Sequence, residues 1–450
     1  MLPGGARLLC GADRRATTAS GQSRGARVRR LLRDVFDAAI ARVDARHAVL
    51  QERIRLRRCA RDPVLVIAFG KAARPMAEAV AHLLPDAPLR GLVVPPSPDT
   101  APLPPFEVIA GGHPLPTAGS LRAARRALDL AASITPGERL LFLVSGGGSA
   151  MLEAPADDAV TLTELRTFYQ ALLGCGADIG AINTVRGWCS TIKGGRLARA
   201  GRAARSQLTL AISDVPAGSG ALASNPTGAD ATTLADCFAV LDRHRLWPVV
   251  PAPLRARMQR GDLPPGLAPD DELHQRSETV ELLNDRTLGS AALAALRERG
   301  LRAEFVPEAD DLPCAQAADL LLARLARLRA AHPGERVAVV AVGELLVQLP
   351  SSPGAGGRNQ QFALTCAERI ADRAITVLSC GSDGIDGNSP AAGAVVDGTT
   401  AARARARGLD IGSHLARCDA FPLLDALGDT VLTGPTQTNV RDLRLLAHDA

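Results

Sequence analysis

Lysine is almost missing from this chain of 450 residues: among 52 basic side chains of the Lys/Arg type, only Lys71 and Lys193 are lysines. Aromatic residues are scarce as well, at 3%, with one tyrosine and two tryptophans. Few aromatics leave no platforms on which bases could stack. The formal charge of +5 is not a basic stripe either, because residues 1–30 hold seven arginines against one acid, Asp13, which leaves the remainder at −1. Nucleic acid is therefore excluded as a partner. The nine cysteines include no CxxC pair, so neither a zinc cluster nor a disulfide framework is expected. No apolar run reaches the roughly 18 residues of a membrane span, and no apolar segment precedes a small-residue cleavage site near the N-terminus. A cytoplasmic protein without a membrane partner is the expectation.

What is present is ordinary in bulk, 46% hydrophobic and 22% charged, over a length that calls for two domains. The Arg-, Ala- and Ser-rich stretch 1–26 reads as a disordered tail, although its composition also suits a transit peptide. Short apolar runs then alternate with helical segments: "VLVIAFG" (64–70), "LRGLVVPP" (89–96), "FEVIAGG" (106–112), "RLLFLVSGGG" (139–148) and "LTLAISDVP" (208–216). Strands apolar on both faces and separated by helices predict a parallel sheet covered on each side. A Pro-rich stretch from 248 to 275 suggests a boundary or long connection. Beyond it, "RVAVVAVGELLVQLP" (336–350) and "AITVLSCGSDG" (374–384) open a second α/β set. The expected organisation is an N-terminal domain at 27–265, a connecting helical region at 266–334 and a smaller C-terminal α/β domain at 335–450.

In open parallel sheets ligands bind beyond the carboxyl ends of the strands, and the unusual loops fall there. Lys71 follows the first run. In "VSGGGSAML", Ser145, Gly146, Gly147, Gly148 and Ser149 place three glycines between a strand and a helix, which suits an anion held by backbone N–H groups or simply a turn with positive φ. "NTVRGWCSTIKGGRLA" supplies Arg186 and the second lysine, Lys193, beside Gly194 and Gly195, a candidate phosphate contact or a solvated face. Asp214, at a strand end, can accept a hydroxyl proton, ligate Mg²⁺ or cap a turn. "PGAGGRNQQFALTCA" presents Arg358, Asn359 and Gln360 at a helix start, suited to a small carboxylate or phosphate. Asp383 and Asp386 lie close enough in a Gly-rich turn for Mg²⁺ ligation, or for Asx-turns. Thr436 and Asn439 in "LTGPTQTNVRD" could donate to a sugar acid or phosphate, and His113 is the one histidine in a strand-end loop.

In order along the chain, "FGKAARPMA", "SGGGSAML", "GADIGAINTVRGWCSTIKGGRLA", "SDVPAGSGALASNPT", "GAGGRNQQFAL", "GSDGIDG" and "TGPTQTNVRDL" resemble the class II glycerate 2-kinases, the family with a C-terminal MOFRL domain. The resemblance spans about residues 28 to 445. It implies an N-terminal Rossmann-like sheet flanked by helices plus the MOFRL domain, acting on D-glycerate and ATP with Mg²⁺, with phosphorylation of the 2-hydroxyl. Lys71 and Arg358 match the residues proposed for catalysis in the family. On this basis Lys71 is assigned to the transferring phosphate, Arg358 to the glycerate carboxylate or γ-phosphate, and Asp214 to the hydroxyl. The Ser145–Ser149 turn and Lys193, Gly194 and Gly195 are assigned to nucleotide phosphates. Arg186, Asn359, Thr436 and Asn439 are assigned to the acid substrate, Asp383 and Asp386 to the metal, and a homodimer is allowed for. The chain departs from the family pattern at Ala217, Gly218 and Ser219, where two acids usually stand, and at Gln361, where glutamate is common. An NAD(P)H-dependent hydroxypyruvate reductase and a non-catalytic ligand-binding relative are the alternatives; the first lacks its G-x-G-x-x-G fingerprint here.

Overall fold

The computed structural model describes residues 13–59, 61–96, 101–215 and 222–448. The chain forms two compact units, each assembled from separated segments. One comprises Val43–Asp285 together with Gln437–Val440; the other takes the chain up to Arg42, Arg286–Thr436 and the end from Arg441.

The first unit contains six strands: β1 (Val64–Phe69), β2 (Leu89–Val94), β3 (Phe106–Val108), β4 (Arg139–Ser145), β5 (Ser206–Ile212) and β6 (Ser277–Leu283). They form one parallel sheet in the order β3-β2-β1-β4-β5-β6. Every residue of β1 is buried, as a strand covered on both faces requires. One apolar core joins Leu65, Ile67, Phe142 and Val144 to Ala123, Ala127 and Leu130 of the helix Ala118–Ala132. A second core, around Phe168, Tyr169, Leu172, Val185 and Leu241, unites the helices Leu162–Gly174, Ile179–Trp188 and Leu234–Arg243. The five runs expected as strands from 64 to 216 are β1 to β5, with their glycine-containing ends left as loops.

The second unit holds β7 (Arg302–Phe305), β8 (Val337–Gly343), β9 (Ile375–Gly381), β10 (Gly393–Asp397), β11 (Thr430–Val431) and β12 (Asp442–His448), in the order β11-β10-β9-β12-β8-β7. Only β7 and β8 pair in parallel, so this sheet is mixed. The helices Cys314–Ala331 and Arg358–Arg369 pack against it through Leu321, Leu325, Phe362 and Cys366.

Three stretches differ from the linear organisation expected. The helix Asp13–Arg42 begins inside the stretch 1–26 expected as a tail, while residues 1–12 lie outside the described residues. Val28, Leu32, Val35, Phe36 and Ala39 recur at helical spacing and are buried, and Arg29 pairs with Asp397 and Asp429 of the same unit. The Pro-rich stretch 248–275 is packed: Leu254, Met258 and Leu267 are buried, and Arg196 donates to the Pro264 carbonyl at 2.7 Å. The region 266–334 is shared out, β6 closing one sheet and β7 the other.

Candidate active site

In the parallel sheet the chain runs from β1 to β2 to β3, then returns to place β4 on the other side of β1. A sheet of this order opens a crevice beyond the carboxyl ends of β1 and β4, where the loops diverge. Gly70 has φ of 113°, and a Cβ on it would lie 2.3 Å from the Ser145 carbonyl oxygen, so glycine is what lets the two strand ends meet. Two bonds fasten them. The Lys71 amide donates to the Gly146 carbonyl at 2.9 Å and the Ala72 amide to Ser145 Oγ at 2.9 Å. Lys71 thus stands half-buried at the crevice, just before the helix Ala73–Leu83.

The glycine turn is shaped by what presses on it. A Cβ on Gly146 would sit 2.2 Å from Asp214 Oδ2 and 2.7 Å from Asn439 Nδ2. Asn439 Nδ2 itself donates to Asp214 Oδ2 at 3.1 Å, so Asn439, assigned above to the substrate, is a partner of the carboxylate. Asp214 reaches this place as the second residue beyond β5. Gly147, with φ of 79°, leads into the short helix Gly148–Met151, and the His113 ring lies against it. At such a helix start the first amides have no intrahelical acceptor. Ala217, Gly218 and Ser219, the departures beyond Asp214, lie outside the described residues.

Behind the turn lies a polar network. Ser149 Oγ is 2.7 Å from Ser224 Oγ, which donates to Asn183 Oδ1 at 2.7 Å. Ala223, Ser224 and Asn225 all carry positive φ, 51°, 58° and 52°, a strained run for residues with side chains. Arg186, buried, donates to Ser149 Oγ at 3.2 Å, and its guanidinium carbon lies 5.0 Å from the centre of the Tyr169 ring. The Tyr169 hydroxyl donates to Glu153 Oε2 at 2.9 Å.

Lys193 does not reach a phosphate. Its ammonium is fully buried and pairs with Glu153, and burial pushes it below the ordinary lysine range against the pull of that carboxylate. Gly194 and Gly195 donate their amides to the carbonyls of Ser224, at 3.2 Å, and Asn225, at 2.7 Å, so these two N–H groups serve the fold instead of an anion. Sequence reasoning passed over Glu153 and Tyr169; the lone tyrosine of the chain was the available signal.

In the second unit Arg358 opens the helix Arg358–Arg369, with Nε 2.7 Å from Asp442 Oδ2 and a terminal nitrogen 2.7 Å from Glu344 Oε1. Burial opposes the charge, but the two carboxylates outweigh it and hold the guanidinium above its ordinary value. Glu344 follows β8 and Asp442 begins β12, so adjacent strand ends aim the arginine. Asp310 extends the array, accepting Arg441 at 2.5 and 2.8 Å and the Glu344 amide at 2.8 Å. "GEL" and "NVRD", acids at strand boundaries, were its signals in the sequence.

The helix start is not an anion site. Asp386 caps it, taking bonds from the Asn359 amide (3.1 Å) and Nδ2 (3.2 Å) on one oxygen and from the Gln360 amide and Nε2 (both 2.9 Å) on the other. Asn359, with Ser379 donating to its Oδ1 at 2.6 Å, is buried structure and not a substrate ligand. Gln361 is turned to the Leu415 carbonyl at 2.9 Å. Thr436 donates to the carbonyls of Ser382 (2.5 Å) and Asp383 (3.1 Å), closing the loop that carries Asp383. With both Asp386 oxygens engaged by N–H donors, the Asp383–Asp386 pair does not fit a metal cage. Among the described residues no three His, Cys, Asp or Glu side chains come together as one.

Burial, helped by the charge of Asp442, pushes the Asp386 carboxyl up to about 6, against the donors of Asn359 and Gln360. The folded state therefore binds this proton more readily than the unfolded chain, whose aspartates titrate near ~4. Stability from this group is present below that value and is lost as pH rises through 6. Measured by denaturant titration, the unfolding free energy of the wild type minus that of Asp386→Asn should fall by ~2 kcal/mol between about pH 4 and 7; a rise contradicts this account.

The family described as "Domain of unknown function (DUF4147)" matches residues 31–259, and the MOFRL family matches residues 337–442. A protein of Agrobacterium vitis that carries the provisional name hydroxypyruvate reductase is 36% identical, over 93% of this chain and 94% of its own. The D-glycerate 2-kinase of Thermotoga maritima is 32% identical over 85% of this chain and 90% of its own. The crystal structure of glycerate kinase from Thermotoga maritima superposes with a TM-score of 0.80 at 30% identity, covering 94% of this chain and 99% of that one. With a six-stranded parallel sheet carrying the lysine–glycine crevice, a mixed second sheet carrying the aimed arginine, and relatives matched nearly end to end, the chain belongs to the glycerate kinase family with its DUF4147 and MOFRL regions.

Proposed function

We propose that the protein is an ATP-dependent glycerate 2-kinase, transferring the γ-phosphoryl group to the 2-hydroxyl of D-glycerate and releasing 2-phosphoglycerate and ADP. The observation that carries this reading is the crevice at β1 and β4, where Lys71 is bonded through its backbone into the glycine turn and Asp214 packs on Gly146. Phosphoryl transfer asks a protein mainly for positioning and charge stabilisation. The Lys71 ammonium faces the transferring group, and amides of the Gly146–Ser149 turn receive phosphate oxygens. Asp214, oriented by Asn439, accepts the proton of the 2-hydroxyl as oxygen attacks phosphorus. Arg358, fixed by Glu344 and Asp442, is a guanidinium suited to a phosphate or carboxylate oxygen. ATP enters as its Mg²⁺ complex, the ion riding on the phosphates, as this cation commonly does.

We further read the protein as a cytoplasmic enzyme of small molecules. Seven described cysteines are free thiols, and no described helix is long and apolar enough to cross a membrane. The rival activity is hydroxypyruvate reduction, favoured by the dinucleotide-type strand order and by the name of the Agrobacterium relative. Against it, the turn after β1 reads "GKAARP" and not G-x-G-x-x-G. Paired assays decide: ADP release on D-glycerate with ATP and Mg²⁺ is expected, whereas NADH oxidation on hydroxypyruvate without ADP release would overturn the proposal.

A further inference from the structure

Arg186 is 7% exposed, yet among the described residues it has no carboxylate partner. Its protein contacts are the Ser149 hydroxyl and the face of Tyr169, and its Nε meets no acceptor. A buried guanidinium in this state is costly unless a counter-charge arrives. Among the described residues the neighbours do not supply one. Glu153 is already paired with the buried Lys193, so Arg186, Lys193 and Glu153 together carry +1 wherever the shared proton sits. The excess charge abuts the glycine turn through Ser149.

We propose that Arg186 receives the carboxylate of the acceptor acid, and that Tyr169, held by Glu153 and Lys193, is the positioning residue that presents the guanidinium to it. The ring supplies a flat face on which the planar fork rests, with the terminal nitrogen not bonded to Ser149 left for a carboxylate oxygen. The Tyr169 hydroxyl, bonded to Glu153, fixes the ring, and Lys193 compensates the carboxylate that does so. This gives the second lysine a place in recognition at one remove from the ligand. It also sets the substrate class, small 2-hydroxy acids over neutral polyols, because a site built around an uncompensated cation rejects a ligand that brings no anion. The inference rests on the kinase reading for the identity of the acid.

The test uses the full chain with D-glycerate, its neutral analogue glycerol, and ATP. Arg186→Gln should raise KM for D-glycerate at least about thirtyfold, leave KM for ATP within about twofold, and remove the preference for D-glycerate over glycerol. Tyr169→Leu should raise the same KM about tenfold with little change in kcat, while Tyr169→Phe, which keeps the ring but loses the hydroxyl bond to Glu153, should raise it by a smaller factor, about threefold. Unchanged KM for D-glycerate in Arg186→Gln overturns the inference, as does a rise confined to ATP, which would make the bound anion a phosphate. Should Arg186→Gln fail to fold, Arg186→Lys, which keeps the charge and loses the fork, should still raise KM for D-glycerate; no effect overturns the inference. Thermal stabilisation by D-glycerate without nucleotide separates the two readings. Its presence in the wild type and loss in Arg186→Gln support the anion anchor even if no phosphoryl transfer is found, and its absence from the wild type overturns it.

Discussion

Lys71→Met lowers kcat by about a thousandfold and leaves the melting temperature within a few degrees of the wild type. The first half follows from the loss of a charge aimed at a transferring phosphoryl group, an effect of the size seen when one preorganised donor is removed. The second follows from how the residue is held. Its amide bond to the Gly146 carbonyl belongs to the backbone, and its side chain is only half-buried, so truncation removes little packing. Lys71→Arg should recover only part of the rate, because a planar fork does not replace a compact ammonium beside a tight glycine turn. Steady-state kinetics with thermal denaturation reads both halves. Near-normal turnover in Lys71→Met would remove this lysine from the mechanism.

Gly146→Ala is expected to reduce kcat by about a hundredfold. The added methyl would lie 2.2 Å from Asp214 Oδ2 and 2.7 Å from Asn439 Nδ2, and neither distance is tolerable. The carboxylate must therefore shift, and displacement of a reacting group by about 1 Å costs on the order of a hundredfold. Gly137→Ala is the matched control, since nothing lies within 4 Å of a Cβ there. Comparable activity in the two variants would show that Asp214 does not orient the substrate hydroxyl.

The parallel sheet was legible because its strands are apolar on both faces and end in glycine, as "VLVIAFG" and "RLLFLVSGGG" do. The mixed sheet was only half legible. β10 and β11 are short, and β12 contains a fully buried arginine, Arg444, inside "DLRLLAH", which breaks the apolar pattern that marks a central strand. The division into units could not be read along the chain at all. The Asp13–Arg42 helix and the Gln437–Val440 segment each join the unit that is distant in sequence, and contacts of that separation leave no local trace.

The candidate site divides on the same line. Lys71, the glycine turn and Asp214 were found because strand-end loops with glycine are a local signal. Lys193, Gly194 and Gly195 carry the same signal for a different reason. A Cβ on Gly194 would meet Asp230 Oδ2 at 2.4 Å, so close packing requires that glycine, and the lysine beside it answers a buried glutamate 40 residues earlier. Asp386 likewise looked like a metal ligand in "GSDGIDG", whereas its partners, Asn359 and Gln360, lie more than 25 residues away in sequence. A polar residue in a glycine-rich turn announces that something must be satisfied; only the fold says whether the partner is a ligand or the chain itself.

Phosphorus NMR of the products formed from D-glycerate, ATP and Mg²⁺ addresses the central assignment most directly. A new phosphomonoester resonance coupled to the single proton on C2, appearing in step with ADP, is the predicted result. A phosphate on the terminal carbon, or no phosphorylated acid while hydroxypyruvate consumes NADH, would contradict it.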